Sequence, residues 1–353
     1  MILLAPLIAS LSLVAWTVLR WPAVRGRRGH ASASVSVLIP ARDEAANIGA
    51  CLDSAVSQNG VTEILVYDDH SSDATAAVVA ARATQDPRIR LAAVEPLSAG
   101  WCGKTFACAR LAAQANSEWL LFLDADARLL PGAVAGMVAE ARARSATFLS
   151  CWPGLQMRSF AERLLMPMLN FVVFSIYPAP LGLVRRDPAL GIAHGACILA
   201  ERRAYEAVGG HTAVASEIFE DTRLAQLWRE RGERSICLDG QHVVHVRMYT
   251  GASEIWLGFQ KNFRAAFRTS LAFWIFLAAH AAFLLAPFLL ASPAALLIIA
   301  ARLLLALRFR QPLWSAFLHP VAECFLLALG LSSWRAWSGS RGVMWKGRRY
   351  QHT

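Results

Sequence analysis

Apolar residues are spaced in three ways along this chain. From Ile2 to Leu19 they run without a charged residue, and about 18 such residues suffice to cross a bilayer. From Val35 to about Arg231 short β-prone runs alternate with segments of helical spacing. From Ser270 to Leu331 the chain is apolar again, broken by Pro287, Pro293, Arg302, Arg308, Arg310 and Pro312.

The middle region predicts an α/β fold. Val35 to Ile39 is a β-branched run ending at Pro40 and reads as a buried first strand, followed by a helix to about Gln58. Glu63 to Tyr67 is the second strand, Arg90 to Val94 the third and Trp119 to Leu123 the fourth. Helices are expected from Asp73, as a cap, to about Thr84, and from about Gly103 to Ala115. Strands alternating with helices imply a mainly parallel, Rossmann-like sheet with crossover helices. A short helix from Glu201 to Val208 and another from Glu220 to about Arg231 follow, the latter with Leu224, Leu227 and Trp228 on its apolar face.

Two of the predicted strands end in carboxylates. Tyr67 runs into Asp68 and Asp69, and Leu120 to Leu123 runs into Asp124-Ala125-Asp126. In an open α/β sheet, ligands bind beyond the carboxyl ends of the strands, so both clusters are expected to face one crevice. An Asp-x-Asp there can hold a hard divalent cation, Mg²⁺ or Mn²⁺, which in turn holds a diphosphate. Asp43, just past the first strand, is a candidate for the same pocket, although it and Glu44 equally suit a helix start. Gly100 to Lys104 precedes a helix, where glycines allow close approach and Lys104 can meet a phosphate. Small residues around His194, before the short helix Glu201 to Val208, suit a loop packed against a sugar. Glu220 and Asp221 occupy a first helical turn, where acids are favoured structurally but can also serve as a base.

Charge and composition narrow the classes. The chain is 56% hydrophobic and 17% charged, too apolar for an ordinary soluble domain. Its formal charge of +10 flanks the apolar segments, so anionic lipid headgroups, not nucleic acid, are the expected partner. No G-x-G-x-x-G turn follows a strand, which disfavours a dinucleotide oxidoreductase. Seven cysteines without a C-x-x-C pair give neither a disulfide framework nor a zinc site.

Arg20, Arg25, Arg27 and Arg28 follow the first apolar run, and no basic residue precedes it. That favours an anchor with the next domain in the cytoplasm over a signal peptide cleaved near Ala31-Ser32-Ala33. Further spans are expected at 271–290, 293–307 and 313–331, the last of them placing the basic tail (Arg335, Arg341, Lys346, Arg348, Arg349) outside unless it bends back at His319-Pro320. Ile255, Trp256, Phe259, Phe263 and Phe267 form one helical stripe, opposite Lys261, Arg264 and Arg268, as on an interfacial helix or one packed on a core. The expected organisation is a 1–30 anchor and basic flank, a 31–250 catalytic domain, a 251–269 interfacial helix, 270–335 membrane segments and a 336–353 basic tail. A multi-pass protein of the cell (inner) membrane results, with its catalytic domain in the cytoplasm.

Val37 to Glu44, the Asp68-Asp69 strand end, Asp124-Ala125-Asp126 and Glu220-Asp221 occur in an order that resembles the inverting family-2 glycosyltransferases of the GT-A fold. Through Gly100 to Lys104, Val246 to Tyr249, Gly258 to Asn262 and Trp345 to Tyr350, the chain is similar to bacterial membrane glycosyltransferases acting on carotenoids. Hopanoid-associated and ceramide glucosyltransferases are more distantly similar. The resemblance implies that Asp43 with Asp68 or Asp69 holds the uridine of a UDP-sugar. It implies that Asp126 with Asp124 meets the metal and diphosphate, and that Asp221 is the catalytic base acting on a lipid acceptor. Processive members carry Gln-x-x-Arg-Trp, whereas Gln260 and Arg264 stand here one place out of register with no Trp, which argues against a polysaccharide synthase. Gln260, Arg264, His194 and Glu220 are possible substrate contacts. The competing readings are a polyprenyl-phosphate glycosyltransferase and, outside enzymes, a membrane transporter or scaffold.

Overall fold

A computed structural model of the chain describes residues 4–27, 29, 33–339 and 342–350. Ile2, Arg28, Ala31, Ser32 and Arg341, which entered the sequence reading, lie outside them. The chain divides into two compact units, one of Pro22–Gln156 and Leu181–Met248, the other of Met1–Trp21, Met157–Pro180 and Tyr249–Thr353.

The first unit is built on ten strands: β1 (Val35–Ala41), β2 (Val61–Asp68), β3 (Ile89–Leu91), β4 (Trp119–Leu123), β5 (Ala127–Leu129), β6 (Phe148–Trp152), β7 (Gly154–Leu155), β8 (Cys197–Glu201), β9 (Ser235–Asp239) and β10 (Val244–Val246). Seven form one sheet in the order β3-β2-β1-β4-β8-β6-β9, in which β8 alone runs antiparallel to its neighbours. The others form a small sheet ordered β5-β10-β7.

Alternation along each strand decides which core a residue joins. Val37, Ile39, Leu121, Leu123, Leu149 and Leu199 face one side with the helices Ile48–Val56 and Ala133–Ala143. Leu38, Leu120, Phe122, Phe148 and Ile198 face the other, against the helices Gly103–Gln114 and Glu220–Glu230. Burial on both faces explains why these strands read as continuous apolar runs.

The first three strands differ from expectation at their ends, β2 running from Val61 to Asp68 instead of Glu63 to Tyr67. Pro40 does not end β1, because its missing N–H faces the β4 side, where β4 pairs with β1 only through Leu38 and calls for no donor. β3 stops at Leu91 instead of Val94, as befits the sheet edge. Asp73 does act at a helix start, accepting 2.9 Å hydrogen bonds from the N–H groups of Thr75 and Ala45.

Arg229 ties the segment after Leu181 to the sheet. Its buried guanidinium donates to Gly182 O (2.7 Å), Arg185 O (3.0 Å), Asp187 O (3.2 Å) and Ser235 O (2.8 Å). Arg229→Met strands these carbonyls. A loss of about 3 kcal/mol is expected from the unsatisfied groups, which lowers the melting temperature by about 6–12 °C. An unchanged thermal unfolding midpoint would contradict that account.

The second unit is helical. It comprises Leu4–Arg20, Phe160–Leu165, Pro167–Phe174, Ala252–Ala265, Ser270–Leu289, Ala295–Arg308 and His319–Ser338, with a terminal hairpin of β11 (Val343–Trp345) and β12 (Arg348–Tyr350). Among the described residues one helix, Ser270–Leu289, is long and apolar enough to cross a membrane, with 20 residues and a mean hydropathy of 2.0. Leu4–Arg20 is shorter at 17 residues. The span expected at 293–307 is a helix of 14 residues, which rises only about 21 Å against a hydrocarbon core of about 30 Å. The bend expected at His319-Pro320 is instead the first turn of His319–Ser338, where proline's missing N–H costs nothing. That helix also buries Glu323, which accepts a 2.7 Å contact from His280.

Candidate active site

The acids at the strand ends sit where the parallel sheet predicts. Asp68 closes β2 and Asp124 directly follows β4. Asp43, Asp68 and Asp69 are woven together by the serine loop after β2. Asp43 Oδ1 accepts from the N–H of Ser72 (2.7 Å), the Asp43 N–H donates to Ser71 Oγ (2.9 Å), and the Ser71 hydroxyl donates to Asp68. Asp69 is buried, its N–H on Ala41 O, with Arg42 donating to its carbonyl at 2.6 Å. Asp43 adopts φ 51°, a left-handed conformation uncommon outside glycine, held by these serine contacts.

The single antiparallel strand brings in the second half of the site. Leu123 pairs with Cys197, so the loop leading into β8 meets the carboxyl end of β4. The Asp124 N–H donates to Ala196 O at 3.0 Å. The backbone of His194 is held on β6, its N–H donating to Ser150 Oγ (2.8 Å) and its carbonyl accepting from that hydroxyl (3.2 Å). Its ring packs edge-on against Trp152 at 5.1 Å.

Lys104 sits among the acids. Its ammonium lies 2.8 Å from Asp124 Oδ1 and 3.3 Å from Glu220 Oε1. Burial alone would push the ammonium down, but Asp124 and Glu220 outweigh it and hold the group well above the ordinary lysine range. The start of its helix is tied to the approach to Glu220, through Cys102 N–H on Ala215 O and Thr105 Oγ1 on Glu217 O.

Gly195 explains how closely these groups approach. A Cβ there would lie 2.9 Å from Lys104 Nζ and 3.2 Å from Asp221 Oδ2. Asp221 accepts from the N–H of Thr222 (2.6 Å), and the Thr222 hydroxyl donates to Ala193 O (3.2 Å), which fixes the Asp221 turn against the same loop. Burial pushes the Asp221 carboxyl up and the charge of Glu220 adds to it. Lys104 and the Thr222 and Gly195 N–H groups pull it partly back, leaving about 7. A carboxyl in that range takes and returns a proton at neutral pH.

Lys104, Asp124, His194, Glu220 and Asp221 thus come together. Val208 to His211 packs on the preceding helix: Gly210 closes on the Tyr205 ring, and buried His211 is 2.9 Å from the Tyr205 hydroxyl. Gln260 and Arg264 lie in the helical unit. Gln260 donates to Ser332 Oγ (2.5 Å), and the Arg264 guanidinium, largely buried, donates to Phe267 O (2.8 Å) and lies 5.5 Å over Trp334. These bonds give both residues a packing role against the helix His319–Ser338, and Arg264 does not line a charged outer face. The contributions of Thr222, Ser150 and Trp152 carry no sequence signal, since a serine or tryptophan in the apolar run 148–152 and a threonine in a polar helical turn read as ordinary packing and surface residues.

Among the described residues no group of three or more His, Cys, Asp or Glu side chains is placed to hold a metal ion. The hard oxygens of Asp124 and Asp126 suit Mg²⁺ or Mn²⁺, but two carboxylates complete a site only with further ligands from a bound phosphate. The ammonium of Lys104 against Asp124 demonstrates that this position already holds a positive charge.

Residues 36–209 match the family described as Glycosyl transferase family 2. A curated relative, the 4,4'-diaponeurosporenoate glycosyltransferase of Staphylococcus haemolyticus, is 26% identical over 225 residues, 63% of this chain and 59% of that protein. The protein of the same name from a Staphylococcus aureus strain is 26% identical over 223 residues, 61% of this chain and 56% of that protein. The matched region therefore spans less than two thirds of the length of these relatives. A mannosyltransferase from Pyrobaculum calidifontis, solved with GDP-mannose and Mn²⁺, shares the fold at a TM-score of 0.56 and 20% identity over 93% of each chain. The mixed α/β sheet with helices on both faces is a fold of the GT-A type. Residues 36–209 of the chain are a family-2 glycosyltransferase region.

Proposed function

We propose that this enzyme moves a hexose from a UDP-sugar to the hydroxyl of a lipid acceptor, a carotenoid, hopanoid or similar molecule, with inversion at the anomeric carbon. The observation that carries the reading is the half-buried Asp221 carboxyl at about 7, next to Glu220 and facing the gap left by Gly195. As a carboxylate it accepts the hydroxyl proton while the acceptor oxygen bonds to the anomeric carbon and the bond to the diphosphate breaks. Lys104 neutralises charge growing on the departing diphosphate, and Asp43 with Asp68 or Asp69 holds the nucleoside. Asp124 and Asp126 would hold a divalent cation, which when bound supplies Lewis-acid stabilisation of the same diphosphate.

A carboxylate acceptor, which the relatives' name denotes for them, would arrive without a proton and need no base; the raised Asp221 favours a hydroxyl. The lipid character rests on the helical unit, where Leu271 (70% exposed) and Leu289 (74%) lie on the one helix among the described residues fit to span a bilayer, and Leu296 (66%) on the helix after it. Exposed leucines in such number mark a membrane or partner surface. The reading places the enzyme at the cell membrane with its catalytic unit on the cytoplasmic side.

The test is transfer from labelled UDP-glucose, UDP-galactose and UDP-N-acetylglucosamine by detergent-purified enzyme to hydroxylated carotenoids, hopanoids and polyprenyl phosphate. Label in a neutral, base-stable glycolipid is expected. Label appearing only on polyprenyl phosphate would replace this reading by the polyprenyl alternative, and no transfer to any lipid would overturn both.

A further inference from the structure

His194 is used by nothing in the mechanism above, yet its backbone is anchored and its ring is oriented by two further contacts. Its backbone is held at both polar atoms by Ser150, and its ring stands edge-on to Trp152. Nδ1 accepts a hydrogen bond from the N–H of Ala196 at 3.3 Å. A ring nitrogen that accepts carries no proton, so the imidazole proton lies on Nε2. Among the described residues Nε2 has no hydrogen-bond partner, and the residue is only half-buried. Burial also lowers the imidazole to about 4, which keeps it neutral at working pH.

Position and chemistry then select the ligand. Lys104 and Asp124 mark the diphosphate side of the site, and Asp221 marks the acceptor side, where the proton is taken. The transferred sugar must lie between them. His194 precedes Gly195, whose missing Cβ would touch both Lys104 and Asp221. A neutral N–H there matches an uncharged oxygen better than a phosphate, which the ammonium already serves.

We propose that His194 is a donor-sugar residue, its Nε2–H hydrogen-bonding a hydroxyl of the hexose carried by the nucleotide. The inference rests on the transferase reading and adds to it the side chain that senses the sugar. His194→Leu removes the donor, and His194→Gln keeps an N–H at similar reach. UDP and UDP-glucose binding are measured on both variants by calorimetry without acceptor, alongside kcat/KM for transfer. His194→Leu is expected to weaken UDP-glucose binding and kcat/KM by about 10–100-fold, the effect of one unmade hydrogen bond in a confined site. UDP affinity should stay within about twofold, and His194→Gln should recover most of the loss. An unchanged His194→Leu, an equal loss for UDP and UDP-glucose, or a Gln variant as poor as Leu would each overturn the assignment. A wild-type protein that binds neither UDP nor UDP-glucose would fell the transferase reading and this inference with it. Normal wild-type transfer beside an unaffected Leu variant would fell this inference alone.

Discussion

Asp221→Asn lowers turnover by about 10²–10⁴-fold, the range for loss of a general base, while UDP binds nearly as before. The amide keeps the size of the carboxyl and can still accept from the Thr222 N–H, so the turn that carries it is preserved. What it cannot do is take the acceptor proton. The wild-type pH profile carries the same signature. The base works when deprotonated, so activity should rise as pH increases through about 7 and level off above it, and the Asn variant should lose that limb. Stability moves the other way. Folding raises this carboxyl from 3.8 to about 7, so the native state binds the proton more tightly than the unfolded chain between those values. The group therefore weakens the fold as pH climbs through that window, and Asn removes the penalty. An Asp221→Asn protein that is more stable than wild type at pH 8 but nearly inactive separates catalysis from a helix-start role. Near-normal turnover would transfer the base assignment to Glu220.

Chelation should be as damaging. With excess EDTA, transfer is expected to fall by about 10³-fold or more, the scale of lost electrostatic stabilisation of a leaving group. Added Mn²⁺ or Mg²⁺ should restore it. Asp126→Ala should reproduce the loss without rescue by metal, because two carboxylates are the whole protein contribution expected at that point. Lys104 already bonds Asp124 at 2.8 Å, and this makes the experiment informative. If the ammonium suffices to balance the diphosphate, activity survives EDTA intact and the metal assignment fails, while Lys104 takes over the role.

Much of the α/β unit was legible from pattern alone. Val35 to Ile39 and Trp119 to Leu123 are short, β-branched or leucine-rich and free of charge, and a strand covered by helices on both faces has no other way to look. The carboxylates that follow them were legible for the complementary reason, since a charge directly after such a run must lie at a strand end. The helical unit was less legible. Hydropathy over 293–331 reports only that residues are apolar, and it cannot tell a bilayer from a neighbouring helix. The 14-residue Ala295–Arg308 and the buried Glu323 became visible only when helix ends and burial were known.

The residues themselves dictated the order of strands and helices, the acids at their ends and the kind of chemistry available, because these depend on local spacing and side-chain type. Folding decided which of them meet. No spacing rule predicts that β8 enters the sheet antiparallel. That reversal carries His194 and Gly195 to the end of β4, beside an acid seventy residues earlier in the chain. Nor could a sequence state that Lys104 would bridge Asp124 and Glu220, or that burial among them would lift Asp221 to about 7. Desolvation and Coulomb interactions depend on distances through space, and only the packed chain sets those distances.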